Sequence, residues 1–303
     1  MKKYLLLLLL VITLPFISAC DSLFAKDLKM SEEEMVVFLS NVEAPEDKQI
    51  YLKIDLEADF TMDNPLLGSQ KTYIKVDTKT YINYTSNEDL LLYNSSKGKI
   101  DIAGFKADLN IMIYTLTDKI YLSSEVTGKQ GNTEVTTKTS EYMMFEEPID
   151  VEDSFGFLED LDLGEYLPNF DLSEEGLEEF IEELEFLLEF VTIYETMGGH
   201  KIVFRIDNKN IDKLKEKVEE DFIESVKAGS FVEIEIQLKD NKLKKISLDL
   251  RINIEEEGSK GFIKATISVE VGRKPVGIPS EGSFSEFKET EEFDLGIFGN
   301  LFK

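Results

Sequence analysis

The fold is decided by the stretch Gln49-Ile50-Tyr51-Leu52-Lys53-Ile54-Asp55-Leu56-Glu57-Ala58. Polar and apolar side chains alternate through it with a period of two, which is typical of a β-strand and not of a helix. A regular alternation predicts that one face of the strand is buried and that the other faces water. The main body of the chain is therefore expected to begin with a half-buried strand.

Similar alternating runs follow on both sides of the middle of the chain. They are separated by turn signals such as Lys97-Gly98, Gly131-Asn132 and Asp240-Asn241. Because short gaps join neighbouring strands as hairpins, an antiparallel meander is expected. The predicted strands are residues 49–58, 71–85, 90–94, 99–116, 119–127, 133–145, 200–206, 230–238, 242–254 and 262–271.

Three segments have the period of a helix instead. Ser31-Glu32-Glu33-Glu34 is a capping box and predicts a short amphipathic helix that ends near Val42. A second helix is predicted from Ser173 through Thr196, and a third over residues 208–227. This order predicts an α+β fold, a large curved antiparallel sheet (a half-barrel) with amphipathic helices covering one face.

The predicted organisation is a single α+β domain over residues 31–303, because the middle of the chain looks like an excursion that covers a face of the sheet. That acidic helical excursion spans about residues 146–196, and an irregular tail spans about residues 272–303. A short tether, residues 20–30, precedes the domain.

The first twenty residues predict where the protein works. Lys2 and Lys3 precede an apolar run that is too short to span a bilayer, and Ile17-Ser18-Ala19-Cys20 reads as a lipobox. The chain resembles bacterial lipoproteins in this region. The resemblance implies that residues 1–19 are a signal peptide and that Cys20 carries a diacylglyceryl anchor. The expected location is the extracytoplasmic face of the cell membrane, and a cut elsewhere with Cys20 incidental is the alternative.

Composition excludes several classes of function. The formal net charge is −28 and only three arginines occur, so binding to nucleic acid is not expected. The single histidine, His200, has no partner that a motif supplies for catalysis, and lipidation of the single cysteine, Cys20, would leave no catalytic thiol. Zinc is not expected from so few ligands. No enzyme activity, cofactor or metal is predicted, and His200 is more simply a hairpin residue.

The element order resembles the LolA/LppX-like lipoprotein carriers, and the hairpin Leu238–Ile246 is the segment most similar in pattern. The resemblance implies an incomplete antiparallel barrel around an apolar cavity that takes a hydrophobic ligand such as a lipid. Apolar residues at helical spacing on the covering element are the candidate cavity lining, with ordinary core packing as the alternative. The candidates are Phe180, Ile181, Leu184, Leu187, Leu188 and Val191.

A second function is suggested by the absence of any lysine or arginine between Thr139 and His200, a stretch that holds twenty Asp and Glu. Such a surface would attract a basic protein partner or divalent cations. Asp160-Leu161-Asp162-Leu163-Gly164-Glu165 has alternating carboxylates but lacks the EF-hand spacing, so a solvated acidic segment is its simpler interpretation.

Overall fold

The computed structural model describes residues 25–42, 47–64, 68–86, 89–150, 188–214, 228–256 and 259–291. Strands dominate these residues and form one sheet of 13 strands. The strands are β1 Lys26–Asp27, β2 Gln49–Asn64, β3 Gly68–Asn83, β4 Leu91–Ile102, β5 Phe105–Thr115, β6 Lys119–Gln130, β7 Thr133–Met144, β8 Val191–Thr196, β9 Gly199–Asp207, β10 Phe231–Lys239, β11 Lys242–Glu256, β12 Ser259–Val271 and β13 Lys288–Glu289.

The sheet is two meanders joined side by side, in the order β1-β8-β9-β10-β11-β12-β2-β3-β4-β5-β6-β7-β13. β12 pairs with β2 in an antiparallel register from Ile50 to Met62, which fuses the halves. Every neighbouring pair is antiparallel except β13 beside β7. The two short strands β1 and β13 are the edges.

The predicted α+β fold with helices covering a face is wrong for the described residues, which are almost entirely β. One α-helix, α1 Glu32–Ser40, lies among them, together with 3₁₀ turns at Ile211–Leu214 and Glu281–Phe284. The residues around Val191, predicted to be helical, are instead the strand β8. The run Val191-Thr192-Ile193-Tyr194 consists of β-branched and aromatic side chains, and pairing with β9 favours the strand.

The predicted turn at Lys97-Gly98 is also wrong, since β4 runs straight through it. A Cβ at Gly98 would lie 3.1 Å from the Leu109 side chain, so the glycine makes room for a packed neighbour on β5. The chain turns instead at Ala103 and Gly104, where φ is 49° and 88°. Positive φ at both residues is the signature of the tight hairpin turn that matches the twist of the strands.

Other local predictions are confirmed. Ser31 accepts a hydrogen bond from the Glu34 backbone while the Glu34 side chain accepts one from the Ser31 backbone, which is a complete capping box. Asp240 and Asn241 form a turn with φ of 52° and 61°, between β10 and β11. Each of these signals depends on neighbours in sequence and so can be detected without the fold.

The two described cores lie on opposite faces of the sheet. The first joins α1 to the ends of β8, β9 and β10 and includes Met35, Ile193 and Ile202. The second joins one end of β3, β4, β5, β6 and β7 to the segment around Phe284. Because side chains alternate along each strand, the register assigns the first core to one face and the second to the other.

Candidate ligand-binding face

One face of the sheet is lined by rows of aliphatic side chains that run across the strands. We call it the aliphatic face, and it is centred on β10, β11, β12 and β2. One complete row crosses nine strands in register and consists of Ile206, Val232, Leu250, Ala265, Leu56, Val76, Gly98, Leu109 and Val126. The neighbouring rows follow the same register and add Ile234, Leu248, Ile267 and Ile54.

Most of the aliphatic face is only half-buried. Ile234, Leu248 and Ile267 are of intermediate exposure, and Ile246 and Ile252 remain 36% and 38% exposed. Aliphatic side chains pack against their cross-strand neighbours here, but they are not sealed as core residues of a filled domain are. The face is therefore a wide apolar surface that still has area to bury.

Helix α1 covers one end of this face. Met35 is 9% exposed and packs against Leu188, Ile202 and Leu238, and Phe38 and Leu39 join the same cluster. The Phe38 ring meets the His200 imidazole edge to face at 4.9 Å. His200 thus has a packing role in the β8–β9 hairpin, as the simpler interpretation of the sequence suggested.

The candidate cavity residues divide between described and undescribed parts of the chain. Leu188 is 6% exposed and belongs to the core beneath α1. Val191 begins β8 and packs on the same cluster. Phe180, Ile181, Leu184 and Leu187 lie outside the described residues, as do Cys20 and the acidic run Asp160–Glu165. The structure brings Leu188 and Val191 together in a packed core.

The opposite face, which we call the polar face, carries a row of six tyrosines. They occupy equivalent positions on six consecutive strands and are Tyr51, Tyr81, Tyr93, Tyr114, Tyr121 and Tyr142. Tyr81 is 1% exposed and Tyr114 is 5% exposed. Phe284 covers the row, with ring centroids 4.8 Å from Tyr114 and 4.7 Å from Tyr121.

Hydrogen bonds hold the segment that contains Phe284 on the tyrosine row. Glu281 accepts hydrogen bonds from the Lys119 ammonium at 2.8 Å and from the Tyr121 hydroxyl at 3.1 Å. The Lys119 bond lowers the pKa of the Glu281 carboxyl. Burial and the Glu281 carboxylate raise the pKa of Tyr121 to about 12. Further along, Tyr142 donates to Glu289 at 3.0 Å, and β13 pairs with β7.

Charged rows flank the tyrosines on the polar face. Asp55 and Asp77 oppose each other across β2 and β3, and Lys53 forms an ion pair with Asp55. The hydrogen bond between the two carboxyls raises the pKa of Asp77. At Asp55, burial raises the pKa of the carboxyl, but hydrogen bonds with Asp77 and Lys53 outweigh burial and lower the pKa. The side chains are 33% and 31% exposed on an open sheet surface, so the pair lacks the enclosure of an acid–base site.

Two other common functional features are absent from the described residues. No cluster of three or more His, Cys, Asp or Glu there is arranged to hold a metal ion. No helix there has the length and apolar character needed to cross a bilayer. The described residues therefore present two candidate binding surfaces, the aliphatic face and the polar face.

Sequence reasoning missed the sheet faces as candidate sites because it assigned the ligand to a covering helix. The alternation Leu52, Ile54, Leu56 was visible as a half-apolar strand. The row that joins it to Val232 and Leu250 needs the register of four strands, which no local pattern contains. The tyrosine row was missed for the same reason.

No family model matches the chain, and no curated protein matches it either. Among solved structures, the translocator domain of autotransporter NalP from Neisseria meningitidis is similar at 5% sequence identity and a TM-score of 0.25, over 77% of this chain and 92% of that chain. A TM-score this low does not establish a shared fold.

Proposed function

We propose that the protein is a lipid-anchored, non-enzymatic protein of the extracytoplasmic membrane face that binds an apolar ligand such as a lipid. The observation that carries this proposal is the aliphatic face. Its rows extend over β9 to β12 and β2, and its central side chains remain partly accessible.

The chemistry of the face favours acyl chains over aromatic or polar ligands. Ile, Leu and Val dominate its central rows, and no charged side chain interrupts the row from Ile206 to Val76. Each methylene removed from water contributes about 0.8 kcal/mol to binding. A chain lying along these rows would bury part of the exposed area of Ile246 and Ile252.

The anchor is the second part of the proposal. The lipobox Ile17-Ser18-Ala19-Cys20 supports it, with the basic and apolar residues that precede it. Two acyl chains on Cys20 would hold the protein at a membrane, where a single chain would not suffice. An apolar ligand from that membrane would then lie within reach of the body.

Lipid extraction tests the ligand directly. The full chain is purified in a non-ionic detergent, and lipids that are not covalently attached are extracted and quantified by mass spectrometry. We expect close to one lipid per chain for the wild type and a clear loss in Ile246→Lys, because a charge would face the acyl chain. Ser247→Lys is the matched control, since the next residue of β11 points to the polar face.

Two results would contradict the ligand proposal. One is a wild-type protein that carries no lipid, and the other is equal retention in Ile246→Lys and Ser247→Lys. Circular dichroism of both variants checks that the sheet is intact. Ile252→Lys provides a second charge on the same face, at a side chain already 38% exposed and therefore able to accept it.

The anchor has its own test. We expect the wild type to lose residues 1–19 and to gain the mass of a diacylglyceryl group, and Cys20→Ser to keep the unprocessed mass. An unmodified cysteine in a membrane-extracted protein would disprove the anchor without bearing on the aliphatic face.

A further inference from the structure

We propose that the polar face carries a separate binding site for a phosphate-type anion, formed by Lys75, Lys97 and Lys99. Lys75 belongs to β3, and the other two belong to β4. The site is on the opposite side of the sheet from the aliphatic face, because neighbouring residues such as Val76 and Gly98 belong to the aliphatic row. It is therefore independent of the apolar ligand proposed above.

The register brings the three ammonium groups together. Lys75 pairs directly with Lys99 across the two strands. Directly paired residues have Cβ atoms about 5 Å apart. Lys97 precedes Lys99 by two residues on the same side, a step of about 7 Å. Like charges placed directly opposite one another destabilise a sheet, and Glu57 opposite Lys75 and Asp108 opposite Lys99 offset only part of that cost in the absence of a ligand.

These three lysines have no ion pair with any described residue, and all three are exposed. The lysines around them are paired: Lys71 with Asp59 at 3.0 Å, Lys106 with Asp101 at 3.0 Å and Lys138 with Glu125 at 3.0 Å. Carboxylates outnumber basic groups by 61 to 33 in this chain. A group of lysines without partners, amid so many carboxylates, indicates that their charge is kept for a ligand.

The three lysines line a concavity of about 580 Å³ on the polar face. Three carboxylates also line it, but two of them are already compensated. Asp77 lies 3.9 Å from the Lys79 ammonium, and Glu125 is paired with Lys138. Asp108 is the remaining carboxylate of the lining, and Glu57, which pairs with Lys75 from β2, also pairs with Lys264 of β12, so the three lysines leave a net charge of about two positive units in the concavity. A phosphate group carries about −1.5 to −2 at neutral pH and would balance it.

Because the site consists of lysines, it is expected to accept more than one kind of phosphate group. Their ammonium groups act as mobile point charges, unlike the fixed fork of arginine, and so accept a phosphate without demanding one orientation. Free inorganic phosphate and the phosphate of a lipid headgroup share this chemistry. The concavity is large enough for either.

Isothermal titration calorimetry of the full chain in a non-ionic detergent, at low salt, tests the site with inorganic phosphate. We expect saturable binding that weakens about tenfold or more in K75Q/K97Q/K99Q. The matched control is K71Q/K106Q/K244Q, which removes the same charge from lysines already paired with Asp59, Asp101 and Asp47. We expect the control to bind within about twofold of the wild type, because its ion pairs are exposed.

Absence of saturable binding, or an equal loss in both triple variants, would overturn the proposal, since only net charge would then matter. A parallel titration with glycerol 1-phosphate distinguishes the sources. Tighter binding of glycerol phosphate would assign the site to a headgroup, and tighter binding of inorganic phosphate would assign it to the free ion. Failure of the lipid extraction would leave this result unchanged.

Discussion

Gly261 of β12 lies where a side chain has no room. A Cβ built there would meet the Asp59 carbonyl oxygen and would approach the Phe60 Cα at 2.8 Å. Both are backbone atoms of β2, so β12 and β2 would have to separate where the two meanders join. We expect Gly261→Ala to lower the free energy of unfolding by about 2–3 kcal/mol, as measured by chemical denaturation.

The control for this substitution is Gly128→Ala in β6. Its nearest neighbour would be a ring carbon of Phe105 at 3.9 Å, an ordinary contact. We expect little destabilisation there, because a Cβ at residue 128 has room and no backbone strain opposes it. Equal effects at the two positions would show that the close approach of β12 and β2 is not what requires Gly261.

Tyr121 links stability to alkaline pH. Its pKa is raised to about 12 by burial and by Glu281, against about 10 in an unfolded chain. A group with a raised folded pKa contributes its full stability below the unfolded pKa and loses it as pH rises. We therefore expect stability to fall between about pH 10 and pH 12, and Tyr121→Phe to make this loss shallower in thermal melts.

Absorbance titration of tyrosine ionisation is the direct measurement. The wild type should show ionisation near pH 12 whose amplitude decreases by one tyrosine in Tyr121→Phe. The interpretation fails when Tyr121→Phe leaves the amplitude near pH 12 unchanged.

At the scale of elements, α1 depends on its capping box. Ser31 accepts from the Glu34 backbone at 3.3 Å, and the Glu34 carboxylate accepts from the Ser31 backbone at 2.8 Å. Replacement of a serine cap by alanine typically costs about 1 kcal/mol. We expect Ser31→Ala to lower stability by that amount in chemical denaturation, because α1 must stay folded to cover the core around Met35.

Ser280 offers a matched control for the cap. It precedes the 3₁₀ turn Glu281–Phe284 in an extended conformation, but its side chain makes no capping hydrogen bond. Ser280→Ala should therefore be close to neutral. A loss of stability at Ser280 equal to that at Ser31 would show that the capping hydrogen bond is not the source of the effect.

Elements were predictable to the extent that their signals are local. The capping box at Ser31, the turn at Asp240-Asn241 and the alternation from Gln49 each needed only a few neighbours in sequence. Val191 was misassigned because its apolar spacing fits a helix, whereas β8 gains the ladder with β9. Gly98 was misassigned as a turn residue because only the neighbouring Leu109 explains its place inside a strand.

At the scale of the whole molecule, the functional surfaces arise from register. The six tyrosines are unevenly spaced in the sequence, and they align only because each hairpin fixes the pairing of its two strands. A one-residue slip in any hairpin would move the rest of the row to the other face. The rows of both proposed sites depend on the same pairings, so the sequence shows their residues but not that they meet.

The exposed edge of β7 is where a strand of another molecule could pair with this sheet. β13 pairs only with Glu141 and Tyr142, so most of β7 has no described strand on its outer side. Glu134 and Lys138 point to one side of this strand and are both exposed. Charges on an edge strand oppose pairing with another sheet. We expect E134V/K138V, which leaves the net charge unchanged, to associate at rising concentration in sedimentation velocity.

The control places the same change inside the sheet. Glu57 of β2 and Lys264 of β12 pair with each other, and each also pairs with a further strand on its other side, so E57V/K264V introduces the same two valines without an open edge. It should stay at the molecular mass of the wild type. Association of both variants would attribute the effect to surface hydrophobicity, and association of neither would show that the backbone of β7 is already protected. Association of E134V/K138V alone means that these two charges keep a thirteen-stranded sheet from growing at its long edge.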